Sequence, residues 1–502
     1  MSGMPCADLA PNTWEFENSA LIKPTGFREY DARWWFGHPA SNKAPEINLY
    51  GIQALGLGLG TLIHEIGVAP KIVTGHDFRS YSLGVKQALT VGLMSAGIEV
   101  HDIGLALSPT AYFAQFDLDI DCVAMVTASH NSNGWTGVKM GVEKALTFGP
   151  DEMARLKEIV LNGQGIARPG GGYVRQERVA ERYLADLFNG VSIKRPLKVV
   201  AACGNGTAGA FAPKALAAMG VEVIPMDCEL DHTFPRYNPN PEDMKMLHAL
   251  RDAVLEHKAD VGLAFDGDGD RCGVVDNEGE EIFADKVGLM LARDLSGRFD
   301  NAKFVVDVKS TGLFLTDPVL QANQATTEYW KTGHSYIKRY SKKTGALVGF
   351  EKSGHFFFQP PLGRGYDDGI VAARAVLDML DRNPNKTMAD MRRDLPVSFS
   401  SPTMSPSCAD EIKYNVVDRI AAAYKARPEI LGRKVRDVLT VNGVRFTLED
   451  GAWGLVRASS NTPNLVIVVE SPNSAEDMKA IFADIREELA KNPEVGEFDQ
   501  SL

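Results

Sequence analysis

The sequence predicts an α/β protein: three similar mixed α/β domains and a C-terminal α+β domain around a central cleft. Three observations lead there. Short apolar runs alternate with helix-period segments over most of the 502 residues, the pattern of strands covered by helices. Polar loops, three of them glycine-containing, follow several of those runs, at 127–131, 203–209, 266–271 and 351–355. Loops at strand ends are where layered α/β folds carry ligands. The texture then changes near residue 396, where Pro402, Pro406 and a serine cluster mark entry to a smaller unit.

Each element follows from its local pattern. Residues 47–63 are uncharged and glycine-rich and end at His64-Glu65, which reads as a packed helix and not a membrane span. Residues 71–75 and 122–126 are strands, with an amphipathic helix at 82–96 between them. A strand at 197–202 runs into Cys203-Gly204-Asn205-Gly206-Thr207-Ala208-Gly209, which should open a helix, so a new unit starts near residue 193. Runs at 222–224 and 260–265 continue it. A third series has strands at 303–308, 326–329 and 346–350 and closes with a helix at 368–380. The tail holds a helix at 409–426, short strands and a helix at 474–491. The expected domains are 1–192, 193–299, 300–394 and 395–502.

Composition narrows the class. Hydrophobic residues make up 44% and charged residues 24%, as in ordinary globular proteins. Acidic residues outnumber basic ones, 65 to 53, for a net charge of −12. That argues against a nucleic-acid or anionic-membrane surface. The six cysteines form no CxxC pair and read as free thiols in a reducing compartment. The first basic residue is Lys23, so the chain lacks a cationic signal-peptide start, and a cytoplasmic location is expected.

Four loops carry the chemistry. Residues 266–271 read Asp-Gly-Asp-Gly-Asp-Arg after the apolar run 261–265. Asp266, Asp268 and Asp270, spaced by glycines, can turn toward one point and suit a hard divalent cation; a plain acidic turn is the alternative. An EF-hand loop fails, because its sixth position needs glycine and holds Arg271, and its twelfth needs glutamate and holds Asn277. A haloacid-dehalogenase-type phosphatase with Asp266 as nucleophile stays open. Ser129, after the strand 122–126, is either a nucleophile or phosphate carrier, or an ordinary turn former. Lys139 can lie near it as a cation or as proton donor and acceptor. Glu351 and Ser353 alternate, so they either share one face toward vicinal sugar hydroxyls or form a polar turn. Arg457, with Ser459, Ser460, Asn461 and Thr462 after an apolar strand, suits a phosphate dianion; a surface turn is the plain alternative. One such loop per domain points to one cleft.

Taken in order, these motifs resemble the α-D-phosphohexomutase superfamily, and within it the bacterial phosphomannomutase/phosphoglucomutase group. The likeness spans nearly the whole chain. It includes Phe27-Arg28-Glu29-Tyr30-Asp31, Asp77-Phe78-Arg79, 127–131, 203–209, 266–271, Lys331-Thr332-Gly333-His334-Ser335, 351–355, Asp367-Asp368-Gly369 and 457–463. The resemblance implies an intramolecular phosphotransferase that interconverts hexose 6-phosphate and hexose 1-phosphate, of mannose or glucose. Phosphoserine at Ser129 and a hexose 1,6-bisphosphate, also the activator, would be its intermediates. A phosphoglucosamine mutase is the neighbouring alternative. Mg2+ would be bound by Asp266, Asp268, Asp270 and the phosphate on Ser129. Catalytic roles are implied for Lys139, His130, Arg271 and Arg28, and substrate contacts for Lys309, His334 and His355. Glu351 and Ser353 would read the 3- and 4-hydroxyls, and Arg457, Ser459, Asn461 and Thr462 would bind the distal phosphate. Hexose phosphates are the expected partners, with no nucleic acid or membrane, in a monomer or small homo-oligomer. Four positions depart from the family pattern: Trp34 stands for a usual glycine, Ser132 for a proline, and Ser460 and Asn461 where the phosphate loop usually ends Asn/Gly-Thr.

Overall fold

The structure, a computed structural model, describes residues 4–188, 191–460 and 462–499. They form two compact units. One runs to Ala284 and takes in Ser353–Ala389; the other joins Asp285–Lys352 to the chain from Asp390 onward.

The first unit contains two mixed sheets. In one, β1 (Ala32–Trp35), β2 (Lys71–His76), β3 (Glu99–Leu105), β4 (Cys122–Val126), β5 (Trp135–Gly141) and β6 (Gly172–Arg175) lie in the order β1-β5-β4-β2-β3-β6. The four strands β4, β2, β3 and β6 are parallel, β5 runs antiparallel to β4, and β1 pairs antiparallel with β5. Every position of β4 is buried, which is why it reads as an unbroken apolar run and not an alternation. The helix Leu49–Ile66 starts at Asn48, whose side chain accepts from the Gly51 amide at 2.9 Å, and stops at Gly67 with φ 83°. Its glycine-rich face packs on the helix Ser82–Ser95 backbone to backbone: a Cβ on Gly92 would lie 2.1 Å from the Gln53 carbonyl oxygen. Leu55, Leu59, Ile72, Val85 and Leu89 fill the core beneath. Among the described residues no helix is long and apolar enough to cross a membrane.

The other sheet of this unit holds β7 (Lys198–Ala202), β8 (Glu222–Met226), β9 (Val261–Phe265), β10 (Cys272–Asp276) and β11 (Glu281–Ile282), in the order β11-β10-β9-β7-β8. The structure differs from parallel layering at two places. β5 returns antiparallel beside β4, and β10 beside β9. Val126 pairs with Val138 and Phe265 with Cys272. The serine loop and the aspartate loop are therefore hairpin connections, pinned at both ends, and do not lead into helices. Residues 203–209 lead through a short turn, Thr207–Ala210, into the helix Ala212–Ala218. β15 (Phe356–Phe358) and the helix Gly369–Arg382 complete the unit.

In the second unit β12 (Lys303–Asp307) lies between β13 (Thr326–Trp330) and β14 (Val348–Phe350), all parallel. An antiparallel sheet follows, with β16 (Phe399–Ser400), β17 (Glu429–Ile430), β18 (Arg433–Leu439), β19 (Val444–Leu448), β20 (Trp453–Ala458) and β21 (Leu465–Ser471). The helix expected from residue 409 begins at Lys413. β20 and β21 are buried throughout because both faces are covered. Val456, Ile467 and Val469 pack with Ile420 and Ile481 of the two long helices. Trp453, Leu455, Val466 and Val468 pack with Val308 and Tyr329. Arg445 crosses that seam: its guanidinium lies 3.7 Å from the Trp453 ring and 4.2 Å from Tyr329, and Nη1 donates to the Val308 and Ser310 carbonyls at 2.7 Å each. Nearby, buried Glu470 accepts from Thr311 Oγ1 and the Gly312 amide at 2.9 Å, Trp453 Nε1 at 3.1 Å, Lys286 Nζ at 3.3 Å and Ser400 Oγ at 2.5 Å.

Candidate active site

Two hairpin loops of the first unit meet at Ser129 and the three aspartates. Ser129 sits at the end of β4 with φ 50° and is 1% exposed. Its Oγ donates to Asp266 Oδ2 at 3.1 Å, across 137 residues of chain. Asp266 Oδ1 accepts from the Asp270 and Arg271 amides at 3.1 and 3.2 Å, which folds the loop back on its first aspartate. Lys139 on β5 donates to Asp268 Oδ2 at 2.7 Å and also to Asp270 Oδ2. Ser108 donates to Asp268 Oδ2 at 2.6 Å.

The electrostatics call for more positive charge. Asp266, Asp268 and Asp270 are fully buried, with oxygens within 4.8 Å of one another. Burial, Asp270 and Asp268 together push the Asp266 carboxyl well above its usual range. Burial pulls Lys139 down, but Asp268 and Asp270 outweigh it and hold the ammonium well above the ordinary lysine value. Asp268 Oδ1 and Asp270 Oδ1 meet no hydrogen-bond donor among the described residues. Lys139 and, 4.0 Å from Asp266, Arg271 face three buried carboxyl groups whose mutual repulsion and open oxygens remain, so these residues fit a divalent cation.

His130, Arg271 and His355 adjoin this centre. His130 Nδ1 is 3.1 Å from Ser129 Oγ. Burial, Arg271 and Arg33 hold His130 well below the usual histidine value, so the ring is neutral. Arg271 Nε donates to His355 Nε2 at 2.9 Å, and Nη1 donates to Glu242 at 3.0 Å. His355 Nδ1 lies 3.0 Å from Asp367 Oδ2 and 3.6 Å from Asp270 Oδ1. Arg28 lies in the turn ahead of β1, its amide donating to the Asp31 carbonyl at 3.0 Å. Arg33, on β1, reaches the serine loop, with Nη1 2.6 Å from Asn131 Oδ1.

In the second unit the C-terminal ends of β12, β13 and β14 gather Lys309, His334 and Glu351. Glu351 accepts from the Gly333 amide, next to His334. Asp307 accepts from Thr332 Oγ1 at 2.9 Å and the Lys352 amide at 3.2 Å, with Lys309 Nζ at 4.0 Å. The division between units falls between Lys352 and Ser353, so Ser353 and His355 belong to the first. Arg457 is buried on β20; Nη2 donates to Ser460 Oγ at 3.1 Å, and Nε has no hydrogen-bond partner among the described residues. Thr462 Oγ1 donates to Ser459 Oγ at 2.8 Å, and Lys413 Nζ donates to the Ser459 and Thr462 carbonyls. Asn461 lies outside the described residues.

Sequence reasoning gave no role to Ser108, Arg33, Asp77, Arg79, Thr127, Asp367 or Lys413. Asp77, Arg79 and Asp367 did stand in short motifs that signalled them. Ser108, Arg33 and Lys413 had no local signal, since each acts on a loop distant in sequence.

The chain matches the phosphoglucomutase/phosphomannomutase family in four successive parts: alpha/beta/alpha domain I over residues 25–165, domain II over 181–279, domain III over 283–399 and the C-terminal domain over 407–488. A phosphomannomutase/phosphoglucomutase of Pseudomonas putida is 35% identical over 457 residues, 91% of this chain and 94% of that one. A phosphoglucomutase of Neisseria meningitidis serogroup A is 33% identical over 450 residues, 89% and 93% of the two chains. The crystal structure of a phosphoglucomutase/phosphomannomutase family protein from Burkholderia thailandensis superposes with a TM-score of 0.82 at 28% identity, covering 95% of this chain and 99% of that one. The chain belongs to the phosphoglucomutase/phosphomannomutase family, within the α-D-phosphohexomutase superfamily. It is an intramolecular phosphotransferase, a hexose-phosphate mutase, and the phosphatase alternative is set aside.

Proposed function

We propose that the enzyme interconverts the 6- and 1-phosphates of mannose and glucose through phosphoserine at Ser129 and a hexose 1,6-bisphosphate, which also serves as activator. The carrying observation is the placement of Ser129 Oγ, 3.1 Å from Asp266 in a cluster of three buried carboxylates. Phosphoryl transfer is chiefly positioning and charge neutralisation. Mg2+ bound by Asp266, Asp268, Asp270 and the phosphoserine oxygen would supply positive charge to the transferring group.

The chain's own residues do the rest. Lys139, held protonated by Asp268 and Asp270, neutralises charge, gives its proton to the departing Ser129 oxygen and takes the one that the attacking sugar hydroxyl loses; the return step runs the same exchange backwards. Arg271 and Arg28 add positive charge, and neutral His130 holds the Ser129 oxygen. In this reading Arg457, Ser459, Asn461 and Thr462 bind the distal phosphate. Glu351 and Ser353 bind the 3- and 4-hydroxyls, and Lys309, His334 and His355 complete the substrate contacts. The division of labour follows the expected domains, 1–192, 193–299, 300–394 and 395–502. After the first transfer the bisphosphate turns around and Ser129 takes back the other phosphoryl group. Mannose and glucose differ at the 2-hydroxyl, which Glu351 and Ser353 need not touch, so one site serves both.

The test compares kcat/KM for the 1-phosphates of mannose, glucose and glucosamine. Similar values for the first two, and a much lower one for the third, are expected. A clear preference for glucosamine 1-phosphate would replace this reading with the phosphoglucosamine alternative.

A further inference from the structure

We infer that Asp77, Arg79 and Thr127 form a buried brace that sets the serine-loop backbone, and that the rate of phosphoryl transfer through Ser129, more than substrate affinity, depends on it. The inference rests on the reading of Ser129 as phosphoryl carrier. Ser129 holds a left-handed backbone, φ 50°, which disfavours any residue with a Cβ. Such a conformation persists only where its surroundings over-determine it, and here they do. Thr127 Oγ1 accepts from the Ser129 amide at 2.9 Å and donates to Asp77 Oδ2 at 2.9 Å. Arg79 Nη2 donates to the Ser129 carbonyl at 2.8 Å and the Asn131 carbonyl at 2.7 Å, while Nη1 pairs with Asp77 Oδ2. Asp77 Oδ1 accepts from Ser82 Oγ at 2.5 Å and the Arg79 amide at 3.1 Å. The peptide units on both sides of Ser129 are thus fixed, the amide by Thr127 and the carbonyl by Arg79.

Asp77 is 1% and Arg79 4% exposed, so water does not compete for these bonds and each charge is answered inside the brace. The residue between them has a second task. The Phe78 amide donates to Thr207 Oγ1 at 3.0 Å, and the Thr207 amide donates to the Gly267 carbonyl at 3.0 Å. One tripeptide at the end of β2 therefore registers the serine loop against the aspartate loop, and residues 203–209 serve as the spacer. Asp77, Arg79 and Thr127 touch no reacting atom in this reading; they are positioning residues. Lysine cannot replace Arg79, because one ammonium lacks the flat fork that reaches two carbonyls and a carboxylate together.

Full-length Arg79→Lys, Thr127→Val and Thr127→Ser variants test this. Three quantities are read: the rapid-quench rate of phosphoryl transfer from glucose 1,6-bisphosphate to Ser129, steady-state kcat with KM, and thermal unfolding. Arg79→Lys and Thr127→Val are expected to lower the transfer rate and kcat on the order of 100-fold with little change in KM, as a misplaced reacting group does. Thr127→Ser keeps the hydroxyl and is expected to recover most of the loss, which a purely packing role for the threonine methyl would not allow. Should Arg79→Lys fail to fold, the two Thr127 variants decide the matter. A wild-type transfer rate in Thr127→Val, or an equal loss in Thr127→Ser, would overturn the inference. A wild-type protein that accepts no phosphoryl group on Ser129 would overturn the functional reading beneath it as well.

Discussion

Glu470 gives the clearest quantitative consequence of the fold. Its carboxylate is 3% exposed and takes hydrogen bonds from Thr311, Gly312, Trp453, Lys286 and Ser400. Burial alone would raise its pKa, but Lys286, Ser400, Lys352 and Thr311 outweigh that and bring it down from 4.5 to about 2. The folded value is depressed, so the stabilisation is present above the unfolded pKa and is lost as pH falls toward 2. Two and a half pH units correspond to about 3 kcal/mol, of which about 2 kcal/mol is gone by pH 3. Glu470→Gln removes the titration and turns an amide NH2 toward donors, which costs about 2–4 kcal/mol at neutral pH. The assay is urea unfolding by tryptophan fluorescence at pH 7, 5 and 3. The gap in stability between wild type and variant is expected to hold from pH 7 to 5 and to shrink by about 2 kcal/mol at pH 3. A gap of the same size at all three pH values would refute the reasoning.

Two further outcomes follow from buried cations. Lys139→Met leaves Asp268 and Asp270 without their cation, and a loss of about 3–5 kcal/mol in unfolding free energy is expected; added Mg2+ should raise the melting temperature of this variant more than that of wild type, by calorimetry. Arg445→Lys keeps the charge but not the flat stack between Trp453 and Tyr329 or the paired carbonyl bonds, and a loss of about 1–3 kcal/mol in urea unfolding is expected.

Much of this architecture was legible in the sequence, for physical reasons. β4, β9 and β12 are buried over nearly their whole length, so their apolar runs and the polar loops after them stand out without any alternation to decode. The spacing of Asp266, Asp268 and Asp270 already implied convergence, and their oxygens do converge. The antiparallel returns β5 and β10 were not legible, because strand direction is set by partners and not by residue pattern. Arg33, Ser108 and Lys413 were also silent. Each reaches a loop 46 or more residues away, and Ser108 bonds Asp268 across 160 residues. Local patterns encode which residues are buried; they do not encode which distant loop a buried polar atom will meet.

The central claim is that Ser129 carries the phosphoryl group. Its most direct measurement is site-resolved mass spectrometry of wild type and Ser129→Ala after incubation with glucose 1,6-bisphosphate and Mg2+, with turnover assayed on the same samples. A single phosphoryl group on Ser129 is expected in wild type, with none on the variant and nearly all turnover lost. Full turnover in Ser129→Ala, or phosphate on Asp266 in place of Ser129, would contradict the account.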